Sequence, residues 1–213
     1  MGPRGITHAT TGNCARARIG PNALIQTVEA LVEAQGRDAA RRLLSRGGRG
    51  EWLTRQPETM VDETEFTALI ATLRRDLGPE RSASILARAG ARTGRYLLAH
   101  RIPGPVRTLL PHLPRRLALR ALLKAIAAHA WTFAGSGRFS WNPTPAGAIL
   151  RLVDGPEARG HTALTPSCAY YRNCFETLLR SLVAGDIAVT ESECMTQGAP
   201  ACVFDVAWPR RQR

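Results

Sequence analysis

Cys168, Glu191, Cys194 and Cys202 fall near the end of the chain with the spacing C-x22-E-x2-C-x7-C. Three thiolates and one carboxylate suit a borderline-soft ion, with Zn–S at about 2.3 Å and Zn–O at about 2.0 to 2.2 Å. Four protein ligands leave no position for a reacting water, so the chemistry expected is a closed, structural zinc site. Spacing alone leaves a second reading open, because buried cysteine is a common small core residue and the usual CxxC pair is absent.

Other residues with chemical capacity are less specific. Hydride transfer calls for a nicotinamide or flavin held by a glycine-rich turn between strand and helix. The nearest approaches, Gly135-Ser136-Gly137 and Gly47-Gly48-Arg49-Gly50, lack the third glycine and that setting, and read more simply as turns. No motif supports NADPH. His100, His112, His129 and His161 have the chemistry of axial ligands to a tetrapyrrole metal or of general acids, although a lone histidine near a helix end is more often solvated or capping. His129 is the best placed of them. Trp131, Phe133, Phe139, Trp141, Tyr170, Tyr171 and Phe175 cluster late in the chain. They either wall a flat apolar pocket or form ordinary core.

The elements that must position these groups follow from periodicity. Residues 1–20 are rich in Gly, Thr and Arg without a period and read as a mobile arm. From Pro21, apolar residues at Leu24, Val28, Leu31 and Val32 predict a helix ending at Gly36, followed by a short one over 37–46. Asp62, with Glu65 three residues on, reads as the cap of a helix closing at Gly78. Pro79 starts another that runs to His100. Pro103 and Pro105 break the chain, and RRLALRALLKAIAAHAW after Pro114 is a basic amphipathic helix.

The pattern changes at Trp131. The run WTFAGSGRFSWN predicts two short strands around Gly135 and Gly137, and AGAILRLVDG a third ending in an Asp-Gly turn. A helix over about 167–184 and strands over 187–193 and 202–208 follow. The expectation is an α+β fold, a helical region (21–130) packed on a mostly antiparallel sheet and helix region (131–209), together one domain. Glu191 and Cys194 differ by three, so in a regular strand they face opposite ways; both are ligands only if a bulge or strand end falls near Cys194.

At 213 residues the chain is long enough for one good core. No leader-like segment and no apolar run of about 18 residues is present, so a cytoplasmic protein is expected, with the membrane surface as a peripheral location. Five cysteines argue for ligands and spare thiols (Cys14, Cys174) over disulfides. The formal charge of +12 rests almost wholly on arginine, since Lys124 is the single lysine. Such a field attracts nucleic acid, anionic lipid or acidic small molecules, or simply reflects coding bias. Arg115, Arg116 and Arg120 have carboxylates, an anionic membrane or water as their alternatives.

The block from Ser167 to Phe204 sets Cys168 at the opening of a helix, then Gly185, Glu191, Cys194, Gly198, Cys202 and Phe204. Residue by residue it resembles the end of the vinyl-4-reductase domain family. It departs from that pattern at Tyr170, Tyr171, Arg172 and Asn173, where the family carries glycine and small residues. The resemblance implies the same α+β architecture, and a cavity between helices and sheet that holds a small hydrophobic ligand. His129, Trp131, Phe133, Tyr170 and Tyr171 are the candidates for lining it.

Size, the arginine-rich helical first half and this C-terminal block together make the whole chain resemble small proteins of bacteriochlorophyll biosynthesis. That implies binding of a divinyl tetrapyrrole, protochlorophyllide or chlorophyllide, and a part in 4-vinyl (8-vinyl) reduction. With no legible hydride-donor site, a substrate carrier or assembly factor is preferred to the reductase itself. Expected partners are the tetrapyrrole, other enzymes of the pathway and a second copy in a homodimer. Nucleic acid is not expected, because the arginines are dispersed. A small-ligand sensor acting through a partner protein stays open as the alternative.

Overall fold

The apolar periods of the first half become helices α1 (Asn22–Gln35) and α2 (Arg37–Arg46) in the computed structural model, which describes residues 17–208. Gly36 separates them with φ 79°, a conformation glycine adopts without the Cβ penalty. Asp62 caps the next helix by accepting from the Thr64 amide at 2.9 Å. Glu65 does not complete the reciprocal cap; its carboxylate instead takes Arg49 Nε at 2.8 Å. Helix α3 (Glu63–His100) is two limbs joined at Gly78, where φ 78° and ψ 171° break the helix before Pro79. The break lies where proline forbids continuation of the amide ladder.

The helical run ends before Pro103, but Pro105 does not break the chain further: it sits in the first turn of α4 (Gly104–Leu109), where its missing amide has no helical partner to lose, and α5 (Arg115–Ala128) follows. The expected pair of strands after them is corrected. Trp131–Ala134 forms a helical turn, α6, and the first strand starts only at Arg138. Tertiary contacts override the strand preference of Trp and Phe here: the Thr132 carbonyl accepts from Gly20 N at 2.7 Å, and the Phe133 carbonyl from the Tyr171 hydroxyl at 2.8 Å.

Strands β1 (Arg18–Ile19) and β2 (Val61–Asp62) pair antiparallel. The expected arm over 1–20 lies mostly outside the described residues, but its end is corrected: Ile19 is 1% exposed and belongs to the core. The main sheet contains β3 (Arg138–Thr144), β4 (Gly147–Val153), β5 (Ala188–Glu193) and β6 (Cys202–Ala207) in the order β3-β4-β6-β5, antiparallel throughout. Helix α7 (Ala169–Leu182) connects β4 to β5 and packs between the sheet and α3.

The crossing of α3 and α7 is a close backbone approach. A Cβ on Gly90 would fall 2.8 Å from the Tyr170 carbonyl carbon and nearer still to its oxygen, and one on Gly94 would fall 2.7 Å from Thr177 Cβ. Phe66 meets the Tyr170 ring edge-on at 5.0 Å on one side, and Phe175 meets Phe204 at 5.6 Å on the other. One continuous buried cluster therefore runs from Ile19 to Val206, joining the helices and the sheet as an α+β single domain. Among the described residues no helix is long and apolar enough to cross a membrane.

Candidate metal centre

Cys168 ends the loop that leads into α7, Glu191 stands on β5, Cys194 follows the last residue of β5, and Cys202 opens β6. Antiparallel pairing of β5 with β6 brings the last three together, and α7 packing on the sheet adds the first. The register shifts between Glu191 and Glu193, which is the irregularity that lets Glu191 and Cys194 face the same way. A 3-10 turn over Met195–Gln197 and a left-handed Gly198 (φ 88°) then return the chain to β6.

The three sulfurs lie 3.3 to 3.6 Å apart, and the four donor atoms all lie within 4.8 Å of one another. A tetrahedron of thiolates at about 2.3 Å from an ion separates its sulfurs by about 3.8 Å, so the sulfurs accommodate zinc by moving slightly apart. The cysteines are fully buried, with Cys168 1% exposed and Cys194 and Cys202 0%, and Glu191 is half-buried. The Glu191 Oε2 atom accepts from the Cys168 amide at 2.8 Å, whereas its Oε1 is buried with no hydrogen-bond partner. An orphaned carboxylate oxygen beside three sulfurs fits a cation, because leaving it unpaired is costly.

Electrostatics divide the donors. Hydrogen bonds from the Cys168 and Cys202 thiols, with a further one from Thr196 Oγ1 at 3.1 Å, hold Cys194 as a thiolate well below the usual thiol range. The same hydrogen bonding to Cys194, then burial, pushes Cys168 up. Burial, then the Cys194 charge, raises the Glu191 carboxyl to about 8. Protons thus crowd this site, and a divalent cation is the alternative that neutralises it. The N-terminus of α7 adds its positive end at Cys168.

Several supporting residues carry no sequence signal. Glu157 is 0% exposed; its carboxylate accepts from the Tyr170 and Tyr171 amides at 2.8 and 3.0 Å and so caps α7 from outside the helix. Burial raises its carboxyl to about 7. Arg74 on α3 donates to the carbonyls of Glu157 and Ser167, each at 2.9 Å, holding the loop before Cys168. No periodicity marks either residue.

The ligand-lining candidates are only partly brought together. Tyr170 and Tyr171 are buried, with the Tyr170 hydroxyl on Thr93 Oγ1 at 3.0 Å, and Phe133 stands 6.2 Å from the Tyr171 ring. Phe133, Phe139, Tyr171 and Phe175 pack ring on ring at 5.5 to 6.2 Å. His129 and Trp131 instead stand at the surface, Trp131 61% exposed. His100 stacks on Tyr96 at 4.5 Å, also exposed. A cleft of about 620 Å³ opens nearby between the start of α1, the 54–58 loop and the end of α3, lined among others by Pro21, Ile25, Leu53, Arg55, Tyr96 and Arg101.

The loop Gly135-Ser136-Gly137 already holds an anion. Ser136 donates through its amide (2.9 Å) and hydroxyl (2.7 Å) to the Glu63 carboxylate, which also pairs with Arg159 at 2.6 Å. A Cβ on Gly135 would collide with that carboxylate.

Residues 149–207 match the V4R domain model. The chain is 40% identical over 202 residues to the bacteriochlorophyll synthase 23 kDa chain of Cereibacter sphaeroides, covering 92% of this chain and 94% of the relative. Among solved structures it is similar to the phenol-responsive sensory domain of the transcription activator PoxR, with TM-score 0.54, 17% identity, and 72% and 79% of the two chains covered. It is also similar to an H-NOX family protein studied for heme distortion, with TM-score 0.57, 13% identity, and 90% and 96% covered. These two show a shared fold.

Proposed function

The chain belongs to the family of the bacteriochlorophyll synthase 23 kDa chain, and from that premise we propose that it acts in bacteriochlorophyll biosynthesis as a carrier or assembly factor for a divinyl tetrapyrrole. The observation that carries this reading is identity of 40% over 92% of the chain, together with the V4R match over 149–207, which spans the cysteine and glutamate block. The carrier is preferred to the hydride-transferring enzyme because the loop nearest to a phosphate cradle is filled by the Glu63 carboxylate, whose charge repels a dinucleotide.

In this reading Cys168, Glu191, Cys194 and Cys202 hold zinc, which cross-links α7, β5 and β6. The ion supplies a closed structural clamp. The residues then perform separate tasks: Thr196 fixes the Cys194 sulfur, Arg74 holds the loop before Cys168, and Glu157 takes the first amides of α7. The macrocycle docks in the open cleft, with Tyr96 and Ile25 against its face and Arg55 and Arg101 available to its carboxylates. The aromatic group Phe133, Tyr170 and Tyr171 is the second docking place, and reaching it requires rings now in contact to part. The sensor alternative gains no argument from PoxR, since that likeness is one of fold.

The test is titration of purified protein of measured zinc content with divinyl protochlorophyllide, followed by absorbance with and without NADPH. The reading expects one zinc per chain and saturable binding with no change in the vinyl-sensitive band on adding NADPH. Reduction of the vinyl group by the protein alone overturns the carrier. Weakened binding in Arg101→Glu but not in Tyr171→Phe assigns the cleft; the reverse assigns the aromatic group.

A further inference from the structure

Between Glu80 and Asp154 the chain has no acidic residue, and twelve arginines and lysines fall in that interval. The net charge of +12 is thus not dispersed evenly but concentrated on the second limb of α3, on α4 and α5, and on β3 and β4. Part of it lies on the solvent-facing side of α5. On α5, Ala118, Leu119, Leu122 and Leu123 are buried, so the opposite face points to solvent. That face carries two parallel rows at four-residue spacing: Arg116, Arg120 and Lys124, and beside them Leu117, Ala121 and Ala125.

Exposed apolar side chains interrupt the cations. Leu117 is 55% exposed, and just before it on α4 Val106 is 42% and Leu109 63% exposed. Trp131 on α6, three residues past α5, is 61% exposed. Of the exposed large hydrophobic residues among the described residues, only Leu164 lies elsewhere in the sequence. Counter-charge is sparse: of the cations on this surface Arg115 alone has an ion pair among the described residues, with Asp186 at 3.0 Å.

We propose that the α4–α5–α6 surface docks on an anionic lipid bilayer, with α5 lying in the plane of the interface. The cations meet lipid headgroups, while Leu109, Leu117, Val106 and Trp131 enter the boundary of the acyl region. Two observations favour lipid over an acidic protein or a nucleic acid. The exposed apolar side chains flank the cationic rows on successive elements, Val106 and Leu109 on α4, Leu117 on α5 and Trp131 on α6, so groups that seek headgroups and groups that seek the acyl boundary occur in one stretch of chain. A tryptophan at the end of the basic helix has the amphipathic ring that prefers the headgroup level. The four candidate metal ligands lie outside this stretch, whereas the cleft adjoins it, with Arg101 three residues before α4 and Pro21 next to the Gly20–Thr132 hydrogen bond. Vesicle binding is read without tetrapyrrole, so membrane docking stands or falls independently of the proposed carrier role.

The experiment is co-sedimentation of the full chain with vesicles of phosphatidylcholine alone or mixed with phosphatidylglycerol. Binding is expected only to the anionic vesicles and is expected to weaken as salt rises. Arg120→Glu with Lys124→Glu lowers the partition coefficient by at least about thirtyfold, from two cations near the surface. Leu109→Ser with Leu117→Ser lowers it about tenfold, by removing buried aliphatic area. A control of equal net charge, Arg41→Glu with Arg42→Glu on α2, leaves it within about twofold to threefold. Far-UV circular dichroism and zinc content are checked for each variant, and Trp131→Phe removes the blue shift of fluorescence on binding. Equal loss in the α2 control overturns the proposal, as does equal binding to neutral vesicles. So does tight binding to heparin or duplex DNA with no effect of the leucine changes on vesicle binding, which would make the surface a general polyanion site.

Discussion

Replacing Gly90 by alanine tests how the α3–α7 crossing holds the candidate metal site. In an exposed helix the change is worth about 1 kcal/mol of added stability, because glycine is a poor helix former. Here the new methyl would lie 2.8 Å from the Tyr170 carbonyl carbon and 3.0 Å from Tyr170 Cα. Both neighbours are backbone, so no rotamer change relieves the clash. The helices must separate by about 1 Å, and a gap of that size forfeits a quarter to a half of each dispersion contact across it. Overpacking of this kind costs about 1 to 3 kcal/mol, and at a backbone contact the upper end applies. Set against the helix gain, Gly90→Ala is expected to destabilise by about 2 kcal/mol. Urea unfolding followed by circular dichroism reads this as a lower midpoint at unchanged slope. Tyr170 is two residues past Cys168, so the variant is also expected to lose zinc faster to a chelator. Gly94→Ala, whose nearest neighbour is Thr177 Cβ at 2.7 Å, costs less. A Gly90→Ala midpoint equal to or above that of the parent would refute the close crossing.

Further outcomes follow from the same structure. Cys202→Ser is expected to abolish stoichiometric zinc and lower the unfolding midpoint, whereas Cys174→Ala, buried on α7 away from the four donors, keeps the metal; elemental analysis of both decides. Burial alone would raise the Glu63 carboxyl, but hydrogen bonds from Ser136 and Arg159 outweigh it and hold it below its ordinary 4.5. Its contribution is therefore complete above about pH 4.5 and is lost as pH falls through the depressed value. Glu63→Gln should cost about 2 kcal/mol at neutral pH and flatten the acid limb of the stability profile; an unchanged limb would remove Glu63 from that role. Tyr171→Phe leaves the Phe133 carbonyl without its 2.8 Å donor and is expected to cost about 1 kcal/mol, measured by thermal unfolding.

That Cys168, Glu191, Cys194 and Cys202 would converge was legible only in part: their spacing left a core reading open, whereas the need for an irregularity between Glu191 and Cys194 followed from strand geometry alone. The helices up to His100 were legible too, since Gly36, Gly78 and Pro79 interrupt the backbone by local sterics whatever surrounds them. Trp131–Ala134 was not. Its aromatic residues prefer strands, and only contacts with Gly20 and Tyr171, distant in sequence, make it helical. Glu157 and Arg74 escaped for a related reason: their partners are backbone groups 13 to 14 and 83 to 93 residues away, which no local pattern announces. The sequence by itself determined the residue types available to a metal and the helix breaks; it also contains the run between Glu80 and Asp154 without an acidic residue, although its arginines read there as dispersed charge. Tertiary structure decided which groups meet, because burial and long-range hydrogen bonds depend on how α3, α7 and the sheet close on one another.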